Sequence, residues 1–323
     1  MLNPDHYIVT IRSTGERTKD ACIKSILDDG IEEKRIHIVQ EAPFKKALET
    51  CFKTAINQNV KWLLTVDADM IIAPGTLQPF FDLAERMPEN FLQIQGKIID
   101  KFTGLVRKGG PRIYRAGLLE QALELSESLK DHIRPESRII SMMGERGYPS
   151  RYITPVICYH DFEQYYRDVY RKSYVHAVKH EKNLPNILEH AVKCKDLDPD
   201  YQVILKAIYD SLSGNKRVKI DRRILVDEAK MALSGLGLTE KDNSVGSIDV
   251  QSLAADYPLS EADMSFHNVR FKDVPVSKSL LKGNVIFKNL EMNGIFRGSL
   301  YLIGLLLTRS GNFFTRIAKQ RNS

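Results

Sequence analysis

Two carboxylates one residue apart follow an apolar segment in the first quarter of the chain. Residues 62–66 are apolar and rich in strand-forming side chains, and Asp67 and Asp69 come directly after them. Acids at the carboxyl end of a central strand face the crevice of an open α/β sheet, where their oxygens suit a hard divalent cation. Such a cation can share its remaining positions with phosphate oxygens. A purely structural role is the alternative, and the place of the pair at a strand end favours a metal site.

A histidine follows a later apolar stretch in the same way. His160 comes after residues 151–159, so a strand there would end at its imidazole. Imidazole nitrogen suits manganese as well as softer ions, and His160 could complete the metal site that the two acids begin. The alternative is a hydrogen-bonded histidine at the sheet edge. We expect the next residue, Asp161, to cap a helix that begins at Phe162.

Glu145 is the candidate general base. It lies in Met143-Gly-Glu-Arg-Gly-Tyr148, and a mobile glycine loop at the mouth of a sheet could present this carboxylate to a substrate hydroxyl. The alternative is an exposed turn with a local ion pair.

The predicted helix from 162 to about 182 is rich in tyrosine and basic residues. Its cations recur at helical spacing, so several share one face and could neutralise a departing diphosphate. A solvated basic face is the alternative. These residues are Arg167, Arg171, Lys172, His176, Lys179 and His180.

Alternating strand and helix patterns position these residues. Strands are predicted at 7–11, 35–39, 62–66 and 91–99, with helices between them. We therefore expect an α/β fold, with a mostly parallel sheet flanked by helices on both faces. A helical extension is predicted at 183–233 and a linker or loosely structured segment at 234–282.

The last segment, 283–323, is predicted to be an amphipathic basic tail. Its apolar run from 298 to 308 is shorter than the roughly 20 residues that span a bilayer. Basic and aromatic neighbours suit an anionic membrane surface, and a buried core helix or an oligomer contact is the alternative.

The overall composition is that of a globular protein. The chain has 323 residues, 27% of them charged, and a formal net charge of +6. This basic excess suits a nucleotide, a phosphorylated substrate or an anionic membrane, and we expect no nucleic-acid partner. The four cysteines are scattered and the N-terminus lacks a signal-peptide pattern, which indicates a cytoplasmic protein with reduced thiols.

The ordered motifs resemble the GT-A fold glycosyltransferases, in particular the family 2-like branch. The resemblance covers about residues 1–182 and rests on the strand and loop at 8–18, on Leu63-Leu-Thr-Val-Asp-Ala-Asp69 as a DXD motif, and on His160. It implies a Rossmann-like domain that binds a nucleotide-diphosphate sugar. By this resemblance Asp69 and His160 would hold Mn²⁺ or Mg²⁺, and Asp67 would lie near the ribose or the metal.

The resemblance also places residues in the nucleotide-binding loops, namely Arg12, Glu16 and Glu41. The chain departs from the family pattern because no paired second acid accompanies Glu145. Without Glu145 as the base, a retaining mechanism that needs no protein base becomes the expectation, and the stereochemistry stays open.

The predicted function is metal-dependent transfer of a sugar, of the hexosyltransferase type, to a hydroxyl acceptor. The acceptor would be a saccharide or a lipid-linked molecule in the synthesis of bacterial cell-surface polysaccharide or glycoconjugate. The enzyme would lie in the cytoplasm or peripherally at the inner face of the plasma membrane. Two alternatives remain: a haloacid dehalogenase-type phosphatase, and a non-catalytic assembly factor docked on a membrane.

Overall fold

A computed structural model describes residues 4–129, 134–179, 184–213, 224–242 and 244–271. The strands in these residues are β1 (Tyr7–Arg12), β2 (Ile36–Val39), β3 (Trp62–Asp67), β4 (Met70–Ile72), β5 (Gln93–Asp100), β6 (Leu105–Arg115) and β7 (Ser150–His160). The α-helices are α1 (Lys19–Asp28), α2 (Phe44–Asn57), α3 (Leu77–Glu85), α4 (Leu119–Glu127), α5 (Pro135–Glu145), α6 (Tyr166–Lys179), α7 (Leu184–Cys194), α8 (Pro199–Ser213), α9 (Val226–Gly235), α10 (Val250–Asp256) and α11 (Glu261–Met264).

The strands form one sheet in the order β2-β1-β3-β6-β5-β7-β4. The pairs β1–β2, β1–β3 and β5–β7 are parallel, whereas β3–β6, β5–β6 and β4–β7 are antiparallel. The prediction of a mostly parallel sheet was therefore wrong, and the sheet is mixed. The reason is connection length: a short turn joins β5 to β6, and such a connection permits only an antiparallel neighbour.

Both faces of the sheet are covered by helices, as the apolar runs predicted. Along β1, Tyr7, Val9 and Ile11 point into one core, whereas Ile8 points into the other. The first core is closed by α1 and α3, and the second by α2, α4 and α5. The strand ends that carry polar side chains are thereby held between two packed layers.

The interval predicted as a helical extension contains α7, α8 and most of α9. These helices pack with α6 around a third apolar core. Lys101, just beyond β5, ties this layer to the sheet: its buried ammonium contacts Asp200, and Asp198 at 2.7 Å, beside the start of α8. α6 is therefore held in a fixed position beside the end of β7.

The interval predicted as a linker has more contacts than its composition suggested. Val245, Leu253 and Tyr257 pack against the first core, and the backbone N–H of Val245 donates to the carbonyl of Arg17 at 2.8 Å. Short helices α10 and α11 lie in this interval. The predicted tail at 283–323 lies outside the described residues. Among the residues that are described, no helix has the length and apolarity needed to cross a membrane.

Candidate functional site

The Asp67-Ala68-Asp69 turn is fixed from several sides. The backbone N–H of Ala68 donates to the carbonyl of Arg12 at the end of β1, at 3.0 Å, and its carbonyl accepts from the hydroxyl of Thr18 at 2.8 Å. Because β1 and β3 are parallel and pair as far as Arg12 and Asp67, both strands end at the same edge of the sheet. The Asp67 and Asp69 carboxylates therefore have defined positions at the crevice.

The register between β4 and β7 brings a further acid to this turn. Met70 pairs with His160 in an antiparallel ladder, so the next positions outward, Asp69 and Asp161, also face each other. The backbone N–H of Asp161 donates to the Asp69 carbonyl at 3.1 Å. Asp161 has a left-handed backbone (φ 66°), which aspartate tolerates better than most residues.

Asp161 therefore does not cap a helix that begins at Phe162, as was expected. The helix α6 begins only at Tyr166. Asp161 instead belongs with the metal-ligating candidates, and sequence analysis missed this role. One signal could have revealed it: if the strand carrying His160 lies beside the strand after Asp69, the two flanking acids become neighbours.

Asp69, His160 and Asp161 form the candidate metal centre. One ligand atom from each of the three side chains lies within 4.8 Å of those of the others. The Nε2 of His160 is 3.7 Å from Asp69 Oδ1, and its Nδ1 is 3.2 Å from Asp100 Oδ2 and 3.1 Å from Asp161 Oδ2. Two carboxylate oxygens facing Nδ1 place a proton there, which leaves Nε2 as the nitrogen that can bind a metal.

These residues fit a divalent ion on two grounds. Asp69 Oδ1 is buried and accepts no hydrogen bond from the described part of the chain. His160, in turn, is oriented by the carboxylate of Asp100, the arrangement that holds metal-ligating imidazoles in many proteins. Two carboxylates and one imidazole suit Mn²⁺ and also accommodate Mg²⁺.

Lys172 on α6 supplies the positive charge of this cluster. Its ammonium donates to Asp69 Oδ2 and to Asp161 Oδ1. Burial alone would raise the pKa of Asp69, but the charges of Lys172 and His160 outweigh it and hold that pKa well below its usual range. For His160 burial acts in the other direction and lowers the pKa, but the negative charges of Asp161 and Asp69 outweigh burial, so the pKa of His160 is raised overall. A metal ion would therefore compete with Lys172 for the carboxylates.

A cleft of about 1010 Å³ opens beside this centre. Five of the seven predicted site residues line it, namely Arg12, Glu16, Glu41, Asp67 and Asp69. The other lining residues include Val39, Phe44, Arg171, Lys172 and Val226. His160 is not among them, because it lies behind Asp69. The structure thus brings the residues of the predicted nucleotide loops to the same cavity as Asp69, the one member of the metal centre that lines it.

Arg12 lines this cleft and links two carboxylates, those of Asp67 and Glu136. Its buried guanidinium donates from Nε to Asp67 Oδ1 at 2.7 Å and from Nη1 to Glu136 Oε1 at 3.1 Å. Its charged group also lies 4.8 Å from the centre of the Phe44 ring. Asp67 is therefore turned toward Arg12 and lies outside the Asp69, His160 and Asp161 group. Sequence analysis missed Glu136, the buried acid that accepts a hydrogen bond from Arg12 and fixes the position of its guanidinium.

Glu16 and Glu41 shape the walls of the cleft. Glu16 accepts from the hydroxyls of Ser13 and Thr14 at 2.9 and 2.7 Å, so it braces the loop after β1. Glu41 accepts from the Thr50 hydroxyl at 3.0 Å. Both residues line the cavity.

Glu145 lies apart from the cleft. Met143, Gly144 and Glu145 belong to α5, so the expected glycine loop is a helix end. The side chain of Glu145 is exposed and 3.6 Å from the guanidinium of Arg138. Along α5, Glu145 is about 13 Å from Glu136, because each helical residue advances the chain by about 1.5 Å. Glu145 is not part of the cleft lining.

The predicted basic helix contributes only part of its charge to the site. Arg171 and Lys172 line the cleft, and Arg167 lies one turn earlier on α6. The imidazole of His176 instead packs edge-on against Phe102, with 6.5 Å between ring centres. The side chains of Lys179 and His180 lie outside the described residues.

No protein-family model matches the chain, and no curated protein matches it. Among solved structures, it is similar to 4-diphosphocytidyl-2C-methyl-D-erythritol synthase from Anaerococcus prevotii, with TM-score 0.37, 11% identity, and coverage of 50% of this chain and 91% of that one. It is also similar to a glycosyltransferase involved in glycosylation of the major capsid of PBCV-1, with TM-score 0.33, 14% identity, and coverage of 48% and 82%. A third is A197 from STIV, with TM-score 0.30, 14% identity, and coverage of 40% and 70%. Similarity at this level does not show a shared family.

Proposed function

We propose that this protein is a metal-dependent transferase that moves a sugar from a nucleotide-diphosphate sugar to a hydroxyl acceptor. The observation that carries the proposal is the composition of one cavity wall. Asp69 lines the cleft and, together with His160 and Asp161, offers ligands for a divalent ion, while Lys172 at Asp69 and its neighbour Arg171 add two cations to the cleft lining. A diphosphate is a ligand that needs both kinds of group.

The rest of the cleft suits the nucleoside. Val39 and Phe44 supply apolar surface, and the carboxylates of Glu16 and Glu41 can accept hydrogen bonds from hydroxyl groups. The cavity volume of about 1010 Å³ is at the upper end of the range for small-molecule sites, which leaves room for a sugar besides the nucleotide.

The chain's own residues then favour departure of the diphosphate. The acceptor oxygen bonds to the anomeric carbon of the sugar while the bond from that carbon to the diphosphate breaks. The electron pair leaves with the diphosphate, where Lys172 and Arg171 stabilise its negative charge. A divalent ion held by Asp69, His160 and Asp161 would supply further positive charge there.

The acceptor proton passes either to Glu145 or to the departing diphosphate. Glu145, the base predicted from the sequence, does not line the cleft, so transfer to a diphosphate oxygen is the favoured route. Glu145→Gln separates the two routes: a fall in kcat with unchanged donor binding supports the base, and unchanged kcat supports transfer without a protein base.

A thermal-shift series tests the donor and the metal together. The protein would be heated with UDP-, GDP-, CMP- and dTDP-sugars, each with and without Mn²⁺. We expect one nucleotide class to stabilise the protein only with the metal, by about 2.7 kcal/mol at a hundredfold excess over Kd. Asp69→Asn should remove the metal-dependent part, and Asp82→Asn, an exposed carboxylate on α3, is the matched control.

The alternatives predict other outcomes. Metal-dependent release of phosphate from simple esters, without a nucleotide-sugar shift, would favour the phosphatase. The absence of stabilisation by any nucleotide with Mn²⁺ would favour the assembly factor. The predicted membrane contact of the tail and the cytoplasmic location stay predictions, and truncation after Lys282 with a liposome-binding assay addresses the first.

A further inference from the structure

A second cavity, which we call the annexe, adjoins the cleft. Its volume is about 250 Å³, and it shares Arg171 and Val226 with the larger cavity. The annexe is lined by Arg167, Asp168, Arg171, Ile224, Leu225 and Val226. It therefore lies between one turn of α6 and the chain entering α9.

The polar side of the annexe carries an excess of positive charge. Arg167 is exposed, and its guanidinium lies 4.1 Å from the centre of the Tyr165 ring, which orients the planar group. Arg171 makes one long ion pair, 3.7 Å from its Nη2 to Asp168, and its Nε is buried without a hydrogen-bond partner in the described residues. Two guanidiniums face one carboxylate, so the lining has unused capacity for an anion.

The opposite side of the annexe is apolar. Ile224, Leu225 and Val226 form it, and Val226 is 52% exposed beside the cations. An apolar side chain left in contact with water at a cavity mouth gains free energy when a ligand covers it. The annexe thus suits a ligand with an oxyanion next to a hydrocarbon portion.

The position of the annexe indicates which substrate this ligand is. Val39 and Phe44 supply apolar lining to the cleft, and Lys172 lines it in contact with Asp69 of the metal centre. Arg171, the residue that the two cavities share, is the neighbour of Lys172 in α6. The sugar of a bound donor is attached to the diphosphate, so the bond to be broken lies near the annexe.

Resting on the function proposed above, we infer that the annexe is the acceptor subsite. It recognises an oxyanion, phosphate or carboxylate, carried by the acceptor beside an apolar group. Arg167 holds this anion as a positioning residue for the acceptor, and Arg171 serves both substrates. Arginine is suited to this task because its planar guanidinium can donate two parallel hydrogen bonds to two oxygens of one anion.

Titration calorimetry with small probes tests the inference. Butyl phosphate, pentanoate and butanol would be titrated into the protein saturated with Mn²⁺ and the nucleoside diphosphate found by thermal shift. We expect butyl phosphate or pentanoate to bind and butanol not to bind, and the stronger of the two anions identifies the acceptor's group. Arg167→Gln should weaken anion binding about tenfold, as expected for loss of one charge-assisted contact.

Two further variants separate charge from structure. Arg167→Lys should recover part of the affinity for the anion, because lysine keeps the positive charge but lacks the planar guanidinium that binds two oxygens at once. Arg146→Gln removes an exposed arginine at the end of α5 and should leave binding unchanged. Nucleotide binding should be the same in all three variants, because Arg167 does not line the cleft.

Three results would overturn the inference. One is unchanged butyl phosphate binding in Arg167→Gln. Another is competition between butyl phosphate and the nucleoside diphosphate, which would make the annexe part of the donor site. The third is equal binding of inorganic phosphate and butyl phosphate, which would remove the role of the apolar side. If no nucleotide binds but butyl phosphate still depends on Arg167, the donor assignment fails and the anion site stands.

Discussion

Glu136 is the residue whose replacement tests most directly how the cleft is built. It lies in the first turn of α5, is buried, and receives hydrogen bonds from Arg12 at 3.1 Å and from the Tyr114 hydroxyl at 2.9 Å. Arg112 forms a second ion pair with its other oxygen. Glu136→Gln keeps the shape of the side chain and removes the charge that these two guanidiniums face.

The expected cost follows from burial. Removing one partner of a buried ion pair costs roughly 3–5 kcal/mol, because the remaining charge loses its counterion while it stays out of water. Arg12 keeps Asp67 as a second partner at 2.7 Å, whereas Arg112 loses its only described carboxylate. We therefore expect a loss near the lower limit, about 3 kcal/mol.

The loss should depend on pH in a defined direction. Burial would raise the pKa of Glu136, but the charges of Arg112 and Arg12 and the hydrogen bonds from Tyr114 and Arg12 lower it overall. A carboxylate with a lowered pKa in the folded state stabilises the protein above its unfolded pKa, about 4.3, and loses this effect as the pH falls through the folded value. The difference between wild type and Glu136→Gln should thus be full at pH 7 and shrink in acid.

Urea unfolding followed by tryptophan fluorescence measures this difference. Trp62 is the one tryptophan in the chain and lies buried in β3, next to the strands that carry the cleft. Glu120→Gln, an exposed acid on α4, is the control and should change stability by less than about 0.5 kcal/mol. A loss below about 1 kcal/mol at pH 7, or a difference that grows in acid, would refute the reasoning.

Three other changes have defined outcomes. Lys172→Met should tighten Mn²⁺ binding in calorimetry about 30-fold, since a single and a double charge about 4 Å apart repel by ~2 kcal/mol even in water; an unchanged Kd would show that the ammonium and the ion do not compete. Lys101→Met should lower the urea midpoint by an amount equivalent to about 3 kcal/mol, because its partner Asp200 stays fully buried with Lys241 as the remaining cation, and a midpoint near that of wild type would contradict this. Gly96→Ala should cost about 1–3 kcal/mol, because its added carbon would lie 2.0 Å from Ile157, whereas Gly117→Ala, with open space around it, should be neutral.

Local sequence patterns predicted the elements and one half of the site. The apolar run at 62–66 is β3, and Asp67 and Asp69 follow its end as expected. The loop after β1 and Glu41 after β2 reach the same cavity, because parallel neighbouring strands end at one edge of the sheet. These features depend on periodicity and on strand ends, and both can be read along the chain.

The relative direction of neighbouring strands could not be predicted from the sequence pattern. An apolar strand pattern is the same whether its neighbour runs parallel or antiparallel, so β6 and β7 gave no sign that the sheet is mixed. The helix α5 was also missed, because a glycine loop was expected at its end, whereas packing on α4 and α2 decides the conformation of this segment.

The partners in the site were decided by tertiary structure alone. Asp161 reaches Asp69 because β4 and β7 pair in a register that sets Met70 opposite His160, and a shift of one residue would turn these side chains to the other face. Lys172 reaches both acids because α6 packs beside that strand end. The sequence thus shows which residue types are available for metal and diphosphate chemistry. The distances between these side chains arise from the pairing and packing of segments far apart in the chain.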